Sequence, residues 1–224
     1  MKPLIFHIDV NSAFLSWEAV RRISQGENDI RLIPSAIGGD RDKRTGVILA
    51  KSIPAKKYGI KTGEPVAMAL RKCPDLFLAR PDFRLYEQSS KAFMDIVRSY
   101  APVVEKYSID ECFADFSGTQ KIYPDPIALA YLIKDRIRDE LGFTVNMGIG
   151  DCKLLAKMAS DFEKPDKVHT LSSGPRFSRS CGRFPSVICL RLELPLQKNL
   201  KKPEYEPSVI LPTLIRPRFR NWWA

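Results

Sequence analysis

Three acidic residues, Asp9, Asp110 and Glu111, have the side-chain type and the positions in the sequence that a metal-dependent catalytic site requires. Asp9 ends a stretch that alternates like a strand, and the adjacent pair lies at the turn of a predicted hairpin. Central strands that end at the same edge of a sheet would bring the three carboxylates together. Carboxylates at such short distances repel one another unless a cation compensates their charge. Oxygen ligands with few histidines nearby suit Mg²⁺ or Mn²⁺.

Two such ions favour one reaction type, the in-line displacement in which a 3′-hydroxyl attacks a phosphate and pyrophosphate leaves. Spacing alone leaves a plainer alternative open, because acidic residues at turns and strand ends are usually just solvated. The metal hypothesis therefore depends on the elements that surround the carboxylates.

The segment around Asp9 has the pattern of a strand, a turn and a helix. Residues 4–9 alternate between two faces, which predicts a half-buried strand. Asn11 can cap a helix in which Phe14, Trp17 and Val20 recur at a spacing of three. Asp9 is thus expected just before a helix N-terminus.

The segment around Asp110 and Glu111 predicts an antiparallel hairpin of residues 104–109 and 112–116. A helix from Asp125 to Gly142, a strand at 144–149 and a helix at about 153–162 follow. This order predicts an α+β fold, a ferredoxin-like split βαβ sheet with its helices on one face.

Composition excludes several classes of protein. The chain has 224 residues and is 44% apolar, enough for one large domain or two small ones. No run of about 18 apolar residues exists, so we expect neither membrane insertion nor secretion. The five cysteines form no CxxC pair and the two histidines offer no zinc spacing, which indicates reduced thiols and a cytoplasmic location.

The net charge of +10 is unevenly distributed along the chain. Residues 1–170 contain 26 Lys and Arg against 23 Asp and Glu, whereas residues 171–224 contain 10 against 3. The second segment also holds seven of the 17 prolines and no aspartate. A compositional boundary is therefore expected near Leu171.

Four segments in order and spacing resemble signatures of the Y-family DNA polymerases, of the DNA polymerase IV and UmuC types. They are His7 to Phe14 (HIDVNSAF), Ala50 to Gly63 (AKSIPAKKYGIKTG), Tyr107 to Asp115 (YSIDECFAD) and Gly148 to Lys157 (GIGDCKLLAK). The resemblance covers about residues 3–171. It implies a translesion DNA polymerase that copies primer-template DNA with deoxynucleoside triphosphates.

The resemblance also implies a metal site. Asp9, Asp110 and Glu111 match the family's ligands for two Mg²⁺ ions, with Mn²⁺ as an alternative, and the carbonyl of Val10 matches a further ligand. The Asp115 carboxylate, in the returning strand, is expected to hold local structure instead.

A nucleotide site is implied beside the metals. Backbone amides around Ser12, Ala13 and Phe14, at a helix start, are expected to face the triphosphate. Phe14 aligns with the family's aromatic steric gate, which excludes a 2′-hydroxyl; the alternative is that Phe14 is only a core position. Lys56 stands where many relatives carry an arginine, so its phosphate contact would be a point charge, and Lys164 aligns with a second triphosphate lysine.

Lys153 and Lys157 are four residues apart and would share a helix face. Such a face suits DNA backbone phosphates, although it is equally ordinary on any exposed helix. We assign both lysines to DNA binding.

The implied domain organisation is a palm at about 3–29 and 76–171, inserted fingers at about 30–75, and a basic tail at 172–224. We expect the tail to contain neither the family's thumb nor its outer DNA-gripping domain, and we expect the region for a sliding clamp, a partner that the resemblance implies, to be missing with them. We expect the tail to be a frameshifted translation, with a genuine disordered DNA-binding tail as the alternative.

Loss of those domains would remove most phosphate contacts, so weak DNA binding and poor extension are expected. Two other functions stay open: a non-catalytic fragment that binds nucleic acid, and a nucleotidyl cyclase. The cyclases share the palm architecture, but Ser108-Ile-Asp-Glu-Cys112 is not their usual hairpin motif.

Overall fold

The structure, a computed structural model, describes residues 3–172, which belong to one compact unit. The predictions for the tail, including its frameshift and its disorder, lie outside the described residues. Within residues 3–172 no helix is both long and apolar enough to span a bilayer.

The described chain contains two sheets with helices between their strands, as the α+β prediction required. In chain order the elements are β1 (Ile5–Val10), α1 (Ala13–Ser24), β2 (Ser35–Asp40), β3 (Thr45–Lys51), α2 (Ile53–Lys57), α3 (Val66–Lys72), β4 (Phe77–Ala79), α4 (Phe83–Arg98), β5 (Val103–Lys106), β6 (Glu111–Asp115), α5 (Pro126–Leu141), β7 (Val145–Gly150), α6 (Lys153–Ser160) and β8 (Val168–Leu171).

The larger sheet has the order β5-β6-β1-β7-β8, so the strand that carries Asp9 is central. β1 pairs antiparallel with β6 on one side and with β7 on the other. β5 and β6 form the predicted hairpin, although β5 ends at Lys106, three residues before the predicted end.

Helices cover both faces of this sheet, and the prediction that they share one face was wrong. Phe6 and Ile8 point into the main core with apolar residues of α4 and α5. On the opposite face, a Cβ added to Gly148 would lie 1.9 Å from the carbonyl oxygen of Ala156 and 2.4 Å from the nitrogen of Ser160, both in α6. Because Gly148 and Gly150 have no side chains there, the backbone of α6 can lie directly on β7.

The smaller sheet has the order β3-β2-β4, with β2 and β3 antiparallel and β2 and β4 parallel. Its core is separate from the main one and includes Ile48, Ile60 and Leu76. β4 lies beyond the predicted fingers interval of 30–75, and the domain boundary itself stays a prediction.

The predicted capping residues are found at the ends of α5 but not at the start of α1. Asp125 accepts hydrogen bonds from the first-turn amides of α5, and Gly142 ends that helix with φ of 73°, as predicted. Asn11 does not cap α1, because its side-chain amide donates to Oγ1 of Thr144 instead (3.1 Å). The residue before α1 is Ser12, which has a left-handed backbone (φ 48°, ψ 49°) and no side-chain cap bond.

Candidate functional site

Asp9 and Glu111 are direct cross-strand partners in the pairing of β1 with β6. Asp110 comes just before β6, and its carbonyl accepts a hydrogen bond from the Val10 amide (3.0 Å). Side chains of directly opposed residues leave the same face of a sheet about 5 Å apart at Cβ. The sheet register therefore explains why residues 9 and 111 are neighbours although 102 positions separate them in the chain.

Asp9 is only 8% exposed, and its carboxylate is bound by the ammonium group of Lys164. Burial raises the pKa of Asp9 above its usual range, and the nearby charge of Glu111 adds to this effect. The hydrogen bond and charge of Lys164 act in the opposite direction without cancelling the effect of burial. Asp9 is therefore a buried carboxylate whose negative charge Lys164 compensates only in part.

Glu111 has more compensation than Asp9. Its Oε2 is 2.5 Å from Nζ of Lys157 in α6 and 3.4 Å from Nε2 of His7. Burial alone would raise the pKa of Glu111, but hydrogen bonds and charge from His7 and Lys157 outweigh it and lower the pKa to about 2. His7 is buried, and its Nδ1 lies 2.8 Å from Oγ of Ser160 in α6.

Asp110, the third predicted ligand, accepts a hydrogen bond from Oγ of Ser108 (2.6 Å). Each of the three carboxylates is thus engaged by a different protein donor. As the side chains stand, no three acidic, histidine or cysteine side chains of residues 3–172 converge on one point. A shared metal site stays a prediction that requires these side chains to rotate.

A cleft between the two sheets brings several of the predicted site residues together. Its lining from the larger sheet and the start of α1 comprises Asp9, Val10, Ser12, Ala13, Phe14 and Asp110, and its lining from the smaller sheet comprises Leu49, Ala50, Lys51 and Thr62. Glu111 lies beside Asp9 but does not line this cleft.

The start of α1 faces the cleft through Ser12, Ala13 and Phe14. The first backbone amides of a helix have no intrahelical acceptor, and the helix dipole makes that end attractive to anions. No acidic side chain lies in the first turn. This end of α1 can therefore offer donors to an anionic group within the cleft.

Phe14 both lines the cleft and belongs to an aromatic cluster. Its ring is stacked on Tyr86 (4.5 Å between centroids, 19° between planes) and contacts Trp17 and Phe83 at 6.0 and 6.4 Å. The two readings of Phe14, as a gate and as a core position, are compatible in this geometry, because the ring packs on one side and borders the cleft on the other.

The predicted lysines differ in their relation to the cleft. Lys153 and Lys157 share a face of α6, and each is paired with a sheet carboxylate, Lys153 with Glu105 and Lys157 with Glu111. Lys56 is exposed on α2 and does not line the cleft. Lys164 reaches the cleft edge only through Asp9.

Lys51 is a cleft residue that sequence reasoning missed. It ends β3, and its Nζ donates to Oγ1 of Thr62 (3.1 Å). Burial lowers the pKa of Lys51, and the charge of nearby Lys56 lowers it further. Its position at a strand end inside the motif 50–63 was a usable signal, but the sequence does not show toward which sheet that strand end turns.

The donor set suits a hard divalent cation. The site offers carboxylate oxygens from Asp9, Asp110 and Glu111, and the only histidine beside them, His7, is bound to Ser160. Burial is the main cause of the raised pKa of Asp9, and repulsion by Glu111 adds to it. Carboxylate oxygens are the ligands that Mg²⁺ and Mn²⁺ prefer.

Comparisons with known proteins place the chain in a family. The family model described as impB/mucB/samB matches residues 8–161. A DNA polymerase IV of Clostridium acetobutylicum is 52% identical over 172 residues, which are 76% of this chain and 43% of that protein. A DNA polymerase IV of Alkaliphilus oremlandii is 38% identical over 165 residues, covering 74% of this chain and 40% of the relative.

A solved structure supports the same assignment. A Y-family DNA polymerase chimera of Dbh and Dpo4 superposes with a TM-score of 0.67 at 26% identity, over 78% of this chain and 49% of the chimera. The matched part of the chain thus spans 40–49% of the length of these relatives. With the family match and the shared fold together, this chain belongs to the impB/mucB/samB family, a family of Y-family DNA polymerases.

Proposed function

We propose that this chain carries the catalytic centre for template-directed DNA synthesis of the lesion-bypass kind, by two-metal nucleotidyl transfer. One observation supports this above the others: the cleft has carboxylates on one wall, Asp9 and Asp110, and an ammonium group on the other, Lys51. A metal-bound nucleoside triphosphate needs both, because carboxylates hold the cation and lysine compensates phosphate oxygens. The names of the relatives, DNA polymerase IV, support the same reaction.

Asp9, Asp110 and Glu111 would hold two Mg²⁺ ions, with the Val10 carbonyl as an additional ligand. The ions would supply charge compensation for the attacking 3′-oxygen and for the departing pyrophosphate. Asp9 suits this role because its carboxylate is buried and only partly compensated by Lys164. A bound cation would offset the free-energy cost of burying the negative charge.

The triphosphate would lie against the start of α1 at Ser12 to Phe14, with Lys51 opposite. Lys164 is held by Asp9 and by Asp161 (2.9 Å), and it would exchange the first partner for phosphate when a cation takes Asp9. Lys56 would add positive charge next to Lys51. These roles make the cleft selective for a dense, metal-bound anion.

Phe14 would set the sugar specificity. Its ring is backed by the stacked ring of Tyr86, so it cannot retreat into the core without displacing a fully buried side chain. A ring fixed in this way leaves no room for a 2′-hydroxyl above it. Deoxynucleoside triphosphates are therefore the proposed substrates.

Primer-template DNA would be contacted by this chain through few phosphates. Lys153 and Lys157 are about one-third exposed and already neutralise sheet carboxylates, so their share of DNA binding would be modest. Affinity for DNA falls steeply with salt when phosphate contacts carry it. Low salt is the condition in which activity of this chain should be measured.

The test is primer extension by the whole chain at low salt with Mg²⁺, alongside equilibrium binding of a deoxynucleoside triphosphate. We expect weak, metal-dependent addition of nucleotides that Asp110→Ala abolishes. Asp139→Ala is the matched control, because Asp139 is an exposed carboxylate paired only with its neighbour Arg138 among the described contacts. Extension that survives Asp110→Ala would refute the metal assignment.

A further inference from the structure

Asn146 is a fully buried polar residue whose role no catalytic assignment explains. It lies in β7 directly opposite Asp9 in the pairing of β7 with β1, and it is 0% exposed. A buried side-chain amide must satisfy its donors and acceptor within the protein, since unpaired buried polar groups are costly. Where its hydrogen bonds go therefore shows what this residue holds.

All three of its side-chain hydrogen bonds go to one segment. Nδ2 donates to the carbonyl of Ser160 (3.0 Å) and to the carbonyl of Glu163 (2.6 Å), while Oδ1 accepts from the amide of Lys167 (3.3 Å). Ser160 is the last residue of α6, and Lys167 precedes β8. One side chain thus binds the residue just before, a residue within and the last residue of the connection between α6 and β8, residues 161–167, here called the Lys164 loop.

The Lys164 loop presents the ammonium group that binds Asp9. Glu163, whose carbonyl accepts the shorter Asn146 bond, directly precedes Lys164. The loop has further anchors: the buried Nζ of Lys134 in α5 is 2.8 Å from Oδ1 of Asp166, and the carbonyl of Lys167 accepts a hydrogen bond from the amide of Met147 (2.9 Å). Between these anchors the Lys164 side chain reaches Asp9 and Asp161.

We propose that Asn146 is a positioning residue that fixes the Lys164 loop over β7, so that Lys164 meets Asp9. Its consequence for nucleotide binding rests on the proposed function, in which Lys164 moves from Asp9 to a phosphate. The described side-chain hydrogen bonds of Asn146 go to the backbone of residues 160–167 and not to a proposed metal ligand. It acts through the backbone that carries Lys164.

The amide group is well suited to this task. Two N–H donors from one planar group can bind two carbonyls at once, and the oxygen of the same group accepts the third bond. Alanine has none of these groups, and serine has a single donor on a shorter side chain. Either substitution would leave carbonyls of the loop without their partner while keeping β7 free of added bulk.

The test measures the loop directly in the full chain. Asn146→Ala and Asn146→Ser are compared with the wild type by amide hydrogen exchange of residues 161–167 and by the rate at which acetic anhydride modifies Lys164, read by peptide mass spectrometry. Ser90→Ala is the matched control, because Ser90 is a buried polar residue of α4 whose hydroxyl makes no hydrogen bond in the described part of the chain.

Loss of the three Asn146 side-chain hydrogen bonds should speed both exchange in the loop and modification of Lys164 by about tenfold in Asn146→Ala. Asn146→Ser should give a smaller increase, and it provides the result if the alanine variant does not fold. Exchange in residues 5–10 and 111–115 should stay at the wild-type rate. Wild-type rates in the loop and at Lys164 in a folded Asn146 variant would overturn the proposal.

A second measurement separates this inference from the proposed function. Binding of dTTP with Mg²⁺ is measured for Asn146→Ala, Lys164→Ala and the double variant. If Asn146 acts through Lys164, the double variant should bind no more weakly than Lys164→Ala alone, whereas additive losses would overturn the proposal. A wild-type chain that binds no dTTP would refute the proposed function, and the exchange and modification rates would still decide the role of Asn146.

Discussion

Asp9 and Glu111 are cross-strand partners on the central strands, yet each is compensated by a different lysine from the same part of the chain. Lys157 of α6 binds Glu111, and Lys164 of the following loop binds Asp9. α6 and the loop after it therefore supply the positive charges that compensate these two carboxylates of the sheet.

Replacing Asp9 by asparagine should stabilise the metal-free protein. Because burial raises the pKa of Asp9, the ionised carboxylate destabilises the fold above that pKa, and asparagine removes the charge at little change in size. Thermal denaturation at pH 7 in a chelator should show a higher Tm for Asp9→Asn than for the wild type.

The same variant should lose the response to metal. Mg²⁺ that binds only the folded wild type should raise its Tm, and Asp9→Asn should show little or no increase. Asp139→Asn, at an exposed carboxylate, serves as the control that keeps the increase. An equal increase in Asp9→Asn and wild type would exclude Asp9 as a ligand.

Glu111 should contribute stability that depends on pH in the acidic range. Its pKa of about 2 lies below the usual 4.5, so its contribution is present above pH 4.5 and is lost as pH falls through about 2. The lowered pKa corresponds to a contribution of about 3 kcal/mol to the free energy of unfolding. Urea unfolding from about pH 5 to about pH 2 should therefore show a steeper loss of unfolding free energy in the wild type than in Glu111→Gln. Parallel curves for the two proteins would contradict this assignment.

Phe14→Val should weaken the discrimination against ribonucleotides. The smaller side chain leaves the space above Tyr86 open to a 2′-hydroxyl, and the ratio of kcat/KM for deoxy- over ribonucleotide should fall by about tenfold or more. Phe83→Ala is a close control, since Phe83 contacts the same ring edge-on but does not line the cleft. Equal ratios for Phe14→Val and the wild type would leave Phe14 as a packing residue only.

Lys51→Ala should raise the KM for deoxynucleoside triphosphate by about tenfold, the usual loss for one hydrogen bond to a charged group. The reason is its place on the cleft wall opposite Asp9 and Asp110. Lys61→Ala, which removes an exposed lysine outside the lining, should leave KM unchanged. An unaltered KM in Lys51→Ala would remove Lys51 from the triphosphate site.

Gly148→Ala should destabilise the protein by about 3 kcal/mol or more, because the new methyl group would meet the backbone of α6 and force the helix off the sheet. Gly26→Ala provides the scale: Gly26 has open space around it and only a positive φ of 79°, so about 1 kcal/mol is expected. Chemical denaturation of both variants measures the difference. Similar losses in the two would show that α6 can shift freely.

Local signals predicted those elements that local interactions determine. The two ends of α5 follow from Asp125 and Gly142, whose side chain and backbone freedom act within one turn. The strand β1 and the hairpin of β5 and β6 follow from alternation of apolar residues. The family motifs, which carry information from many sequences, indicated the carboxylates far more strongly than their spacing did.

The remaining features depend on contacts between distant parts of the chain. β4 has three residues and exists because it pairs with β2, and no local pattern marks it. The position of α6 on the second face depends on two glycines of β7 that have no periodic signature. Asn11 was expected to cap α1, but a tertiary hydrogen bond to Thr144 competes for its side chain.

The two lysine–carboxylate pairs also link the acidic residues of the sheet to one short stretch of the chain. Lys157 binds Glu111 and Lys164 binds Asp9, and only seven positions separate the two lysines. A shift of α6 and the loop after it would therefore change the charge balance at both carboxylates at once. Under the proposed function, a cation that binds Asp9 and Glu111 would have to compete with both lysines, so its affinity would depend on how firmly this stretch is held against the sheet.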